Sequence, residues 1–163
     1  MNPLAFIESR MSLHMLLEFP ALLGMGWWLA RQRPWPGLAR FDVQGLLAAT
    51  LASCVFAFWM IPAALDLALL SGGFAAAKYA SWIAAGALLA WSRERLSPVV
   101  AVFFLGNAAW MLATAGLLYR DAETQLCVNY LIDDQLVTGA GLLAWAFALG
   151  GLAFVKLKPL LQA

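Results

Sequence analysis

Charge is what this sequence has least of. Only 12% of its 163 residues are charged, against 64% hydrophobic, where a soluble domain carries about 25% charged residues. A soluble chain of this length has too little interior to hide that much apolar surface. Ten Lys and Arg against nine Asp and Glu leave a net charge of +1, so no basic face for nucleic acid is implied. One histidine excludes a bis-histidine haem within the chain, and a histidine–methionine haem is not expected. No Gly-rich phosphate loop, zincin motif or H-x-E deaminase pattern occurs, and no Ser-His-Asp set can be assembled without that one histidine. An enzyme is not expected. The first ten residues are polar-edged, and the first apolar run reaches full spanning length without an A-x-A-like site, so no cleavable signal peptide is expected either.

What the sequence has instead is long apolar runs. Five approach the roughly 20 residues needed to cross ~30 Å of hydrocarbon, at Met11–Ala30, Gln44–Ile61, Phe74–Trp91, Val99–Leu118 and Leu136–Val155. Backbone polar groups in lipid must bond internally, so each run is expected to be a helix. The expected fold is all-α: one polytopic membrane domain of five transmembrane helices. Seven of the ten Lys and Arg fall after the first, third and fifth runs, at Arg31, Arg33, Arg40, Arg93, Arg95, Lys156 and Lys158. Basic loops prefer the cytoplasm, which predicts the N-terminus outside and the C-terminus inside. Glu8, Asp66, Asp121, Glu123, Asp133 and Asp134 then lie towards the outer face.

Small residues predict tight helix packing in lipid. Gly45, Ala49 and Ser53 stand four apart in the second run. Ala80, Ala84 and Leu88 do so in the third, beside Ser81 and Ala85. Trp27, Trp28, Trp59 and Trp91 are expected at interfaces, and Trp82, Trp110 and Trp145 in packing. Lys78, about a turn inside its run, is expected to snorkel outward. Asn107 is expected to form an interhelical hydrogen bond.

The start of the first run is the richest in chemistry. Met11, His14, Met15 and Glu18 are spaced i, i+3, i+4, i+7, along one helical face. Thioether and imidazole suit Cu(I), and a carboxylate tolerates Cu(II) or a proton. The same spacing is also the ordinary burial pattern of a helix, and methionine is a common core filler. Glu18 lies ~10 Å inside the run at 1.5 Å per residue. A carboxylate there costs a few kcal/mol unless paired or protonated, and His14 is the expected partner. Cys54 and Met111 each lie seven residues from the outer end of their runs, so they are expected to share a layer with Glu18 and extend the soft-ligand path. Taken singly, Cys54 is also readable as a small buried hydrophobe and Met111 as filler. Cys127 lies in the longest outer loop, where it is either sheltered or a ligand. Asp133 and Asp134 open the last run, where acids favour a helix N-terminus.

Several segments then occur in a familiar order. They are Met11-Ser-Leu-His14-Met15-Leu-Leu, Trp59-Met-Ile-Pro62-Ala-Ala-Leu-Asp66, Gly86-Ala-Leu-Leu-Ala-Trp91, and Asp134-Gln135 followed by Gly139 and Trp145. Together they resemble the multi-span CtaG-type family of cytochrome oxidase assembly proteins. That family has a histidine-methionine pair opening one span, a tryptophan-x-x-proline exit from the next, and an aspartate-glutamine pair leading into the last. Its members usually carry further spans before the histidine-methionine segment and more histidines; Met60 and Lys78 stand where others would be sought. The resemblance implies a multi-pass protein of the bacterial cytoplasmic (inner) membrane. It implies Cu(I) held or passed near the outer face, and a copper donor, acceptor or oxidase subunit as partner. A non-catalytic membrane subunit without its own metal is the alternative, and a homo-oligomer is compatible with both.

Overall fold

The computed structural model describes residues 10–33, 35, 37, 40–122 and 132–162, and the regular structure in them is helical. The helices are α1 (Met11–Arg31), α2 (Leu46–Trp59), α3 (Pro62–Leu70), α4 (Gly72–Ser92), α5 (Pro98–Asp121) and α6 (Ile132–Leu157). Glu8, Glu123 and Cys127 lie outside the described residues. The segments of α1, α4, α5 and α6 are each long and apolar enough to cross a membrane; α2 and α3 together meet the same test but are bent by 76° at the break between them.

The bend falls at the end of the span expected over Gln44–Ile61, which α2 fills only from Leu46 to Trp59. At its start the chain is still turning. Gln44 has φ 55° and Gly45 φ 78°, and the Asp42 carboxylate accepts the Ala48 N–H at 3.1 Å to cap α2. At its end Pro62, which has no N–H to donate, takes the first position of a new helix. α2 is therefore only about 21 Å long at 1.5 Å per residue. The chain does not simply exit at Pro62. It forms α3, which buries Ala64, Leu65 and Ala68 and presents Ile61, Leu67 and Leu70 outward.

Contacts between helices fix their relative directions. Phe19 stacks on Trp82 and the Trp91 indole donates to the Ala30 carbonyl, so α1 and α4 run parallel. Ser12 meets Asp134 and Leu16 covers Gly141, so α6 runs parallel to α1. Gly116 lies against Gly139, and Gln135 bonds Tyr119, so α5 opposes α6. Trp59 donates to Ser81 and Ala52 packs with Leu89, so α2 opposes α4. Hence α1, α4 and α6 run one way, and α2 and α5 the other.

The closest approach is not on the expected small-residue stripe of α4. Ala80 and Ala84 face outward. Instead Gly86 of α4 and Gly26 of α1 face the partner backbone. A Cβ on Gly86 would lie 2.0 Å from the Leu23 carbonyl oxygen, and one on Gly26 2.0 Å from that of Ile83. On α2, Ala48, Ala49 and Ala52 are buried. Three tryptophan assignments also change. Trp59 is buried and donates its indole N–H to Ser81 Oγ at 2.8 Å rather than anchoring an interface. Trp110 and Trp145 face outward rather than into the packing.

Candidate functional site

α1 does not begin as a plain α-helix. His14–Glu18 is a π-helical turn, and Pro20 follows two residues later. Proline in a helix removes a hydrogen bond and its ring clashes with the carbonyl four residues back, here Leu16. The widened turn lies around that carbonyl and relieves the clash. π-turns of this kind are frequent at functional sites.

The turn carries a buried polar trio. His14 is fully buried, and its Nδ1 lies 2.6 Å from Glu18 Oε2. Lys78 of α4 brings Nζ to 3.0 Å from Glu18 Oε1 and sits 4.3 Å from the Tyr79 ring centroid. Lys78 therefore does not snorkel outward as expected: it is 1% exposed. A buried ammonium needs a counter-charge, and Glu18 supplies it because α1 and α4 run parallel and close. Glu18 faces the interior and pairs with His14, as expected, but it has a second partner that spacing along one chain segment did not reveal. The Glu18 carboxylate thus has partners on two helices, His14 of α1 and Lys78 of α4.

Two soft donors are buried on the same turns of α1 as His14. Met11 and Met15 are buried beside Trp59, Leu65 and Tyr119 in one apolar cluster. Leu65 belongs to α3, so the bent-over helix closes this end of the bundle. The His14 ring meets Phe19 edge-on at 4.9 Å, and Phe19, Trp82 and Phe56 stack below it.

The Asp134 and Gln135 pair has a structural role that a helix-dipole argument for α6 alone did not anticipate. Asp134 Oδ2 accepts the Ser12 N–H at 3.1 Å and Oδ1 accepts the Ser12 hydroxyl at 2.6 Å. The carboxylate thus satisfies an orphan N–H at the start of α1, directly ahead of His14. Gln135 Nε2 donates to the Tyr119 carbonyl at 3.1 Å and ties α6 to the end of α5.

Cys54 and Met111 do come together, but not with the trio. Both line a groove of about 560 Å³ between α2 and α5, whose walls do not include Met11, His14, Met15 or Glu18. Cys54 is exposed rather than a buried hydrophobe, and Met111 accepts the Asn107 amide at 3.3 Å. They therefore do not extend a soft-ligand path from Glu18, because matching depths say nothing about which way a helix is rotated. Among the described residues no group of three His, Cys, Asp or Glu is placed to hold a metal. A metal at His14 would therefore rely on thioether donors, which restricts it to a soft ion such as Cu(I). The donor set fits that ion in kind: two buried thioethers flank an imidazole whose Nδ1 is held by a carboxylate, the arrangement that orients a ligating histidine. No family model matches the chain, and no curated protein or solved structure is significantly similar to it.

Proposed function

We propose that this protein is a five-pass membrane protein of the CtaG type that holds Cu(I) near the outer face of a bacterial cytoplasmic membrane, for delivery to an oxidase or another copper protein. Met11, His14 and Met15 are its ligands. Glu18 orients His14 through Nδ1, and Lys78 holds Glu18 in place. Cys54 and Met111 are not part of this site. The observation that carries the reading is the 2.6 Å His14–Glu18 contact on a π-turn beside two buried methionines. Copper supplies soft-ligand exchange when bound, and the chain supplies the donors, their orientation and the exclusion of water.

Purified protein is expected to take up about one Cu(I) against a competing chelator, in line with soft-donor preference. The triple variant Met11→Leu, His14→Leu, Met15→Leu is expected to take up none while keeping its helix content. Equal uptake by both proteins would move the site elsewhere. No uptake by either would favour the second reading, a metal-free membrane subunit. The Glu18–Lys78 ion pair favours that alternative specifically, because it gives Glu18 a counter-charge from within the chain.

The five-pass count and the N-outside orientation belong to the same proposal. They are supported by the alternating helix directions and by the basic residues that follow α1, α4 and α6. Reporter fusions at Arg95 and at Thr124, the latter outside the described residues, are expected to fall in opposite compartments, with Arg95 inside. The same compartment for both would refute the five-pass arrangement.

A further inference from the structure

The outward face of α5 carries an amide that the fold does not satisfy. Asn107 lies in the middle of the 24-residue α5, far from either end. Its Nδ2 donates within its own helix to Met111 Sδ at 3.3 Å, and its Oδ1 meets no donor among the described residues. The expected interhelical bond of Asn107 therefore goes unmet among the described residues. An acceptor at that depth finds no water, and lipid tails offer no donor.

The surroundings of Asn107 have the relief of a helix-docking face. The groove shared with α2 lies on one side. A second groove of about 330 Å³, shared with α6, lies on the other and contains Gly106 and Trp110. A Cβ on Gly106 would meet nothing within 4 Å, so that glycine serves no contact inside the chain. Phe103 and Trp110, each 74% exposed, form a ridge between the grooves. One face thus carries a ridge, two flanking grooves, a small residue that permits close approach and a polar residue that needs a partner. A surface holding both ridge and groove can serve both sides of a two-fold contact.

We infer that α5 is the interface of a homodimer in the membrane, with Asn107 of each copy bonding across the two-fold axis at the Gly106 approach and the Phe103–Trp110 ridge of each copy seated in a groove of the other. A second copy of this chain is the occupant because it brings the missing donor, the Asn107 amide, at the same depth in the same orientation. A lipid tail fills a groove but leaves the amide oxygen unbonded. This inference does not depend on copper.

The test is energy transfer between donor-labelled and acceptor-labelled full-length protein in lipid bilayers, read over a range of protein-to-lipid ratios. Wild type is expected to show saturable transfer that fits a dimer. Asn107→Leu is expected to weaken association about tenfold, the size of a good interhelical hydrogen bond in lipid, and Asn107→Gln to restore most of it. Gly106→Leu, at a position where a side chain meets nothing within the chain, is expected to abolish transfer while leaving tryptophan fluorescence native. Wild-type protein that stays monomeric at every density would overturn the inference. So would tightly held phospholipid with a monomeric mass, or dimers that survive both Asn107→Leu and Gly106→Leu unchanged.

Discussion

Gly86→Ala is expected to destabilise the protein by about 3 kcal/mol, the upper end of what overpacking costs, although the change adds one methyl group. Its Cβ would sit 2.0 Å from the Leu23 carbonyl oxygen, with Leu23 C at 2.9 Å and Trp27 N at 3.0 Å. All three are backbone atoms, so no rotamer change relieves the contact, and α1 and α4 must separate. Separation loosens the Phe19–Trp82 stack and pulls Lys78 from Glu18, both of which cross that pair of helices. The loss is read from unfolding followed by tryptophan fluorescence in mixed micelles. Gly24→Ala is the control: it lies on the same α1, and a Cβ there meets nothing within 4 Å. Removing an exposed helix glycine is expected to stabilise by up to ~1 kcal/mol. Equal stability of the two variants would show that α1 and α4 do not pack as described.

Helix existence was legible in the sequence because bilayer thickness and backbone satisfaction leave few choices. All five expected spans match helices to within a few residues; four of the observed helices are slightly longer than their apolar runs, and α2 is shorter. Pro98 shows why: it opens α5 one residue early as a first-turn proline behind the Ser97 cap. The bent continuation after the second span was not legible. The span's apolar run continues through Pro62 into Ala-Ala-Leu, and hydropathy alone does not say whether such a chain exits the membrane or folds back as α3. The left-handed backbone at Gln44 and Gly45, which shortens α2 from the other end, has only the glycine as a signal.

The site was half legible, for a related reason. His14 and Glu18 are four apart, so their contact follows from helical spacing, and the cost of a bare carboxylate in lipid pointed inward. Lys78 belongs to another helix. Its pairing depends on α1 and α4 being neighbours, parallel and rotated towards each other, and only their depths are readable from sequence. The same missing rotation misassigned Cys54 and Met111 to the trio's soft-ligand path, and placed Trp110 in the packing when it faces outward. Gly26 and Gly86 make the α1–α4 contact, but Gly86 stands in an Ala-Ala-Gly-Ala run that does not single it out, and the expected stripe meets α2 only through Ser81 and Ala85.

Lys78→Met is expected to cost about 3–5 kcal/mol, because it keeps the side-chain length but leaves Glu18 as a buried charge without its cation. The methionine side chain fits the space the lysine leaves, so the loss is electrostatic rather than steric. Glu18→Gln removes the carboxylate 3.0 Å from Lys78 Nζ and is also expected to destabilise. The double variant Glu18→Gln, Lys78→Met removes both charges, and His14 can still bond the amide oxygen that replaces the carboxylate. It is expected to recover most of the loss, giving a coupling of at least ~2 kcal/mol in the double-mutant cycle, within the range for residues in contact. Strictly additive losses would mean that the ion pair contributes nothing and that Lys78 reaches polar surroundings instead. Copper gives the same variants a second readout. Lys78→Met removes a positive charge beside His14 and adds a thioether, so if Cu(I) is held there its affinity is expected to rise by about tenfold or more, the effect of ~1.4 kcal/mol. Unchanged Cu(I) affinity in Lys78→Met, with the stability loss present, would make His14, Glu18 and Lys78 a purely structural network and move the copper site away from His14.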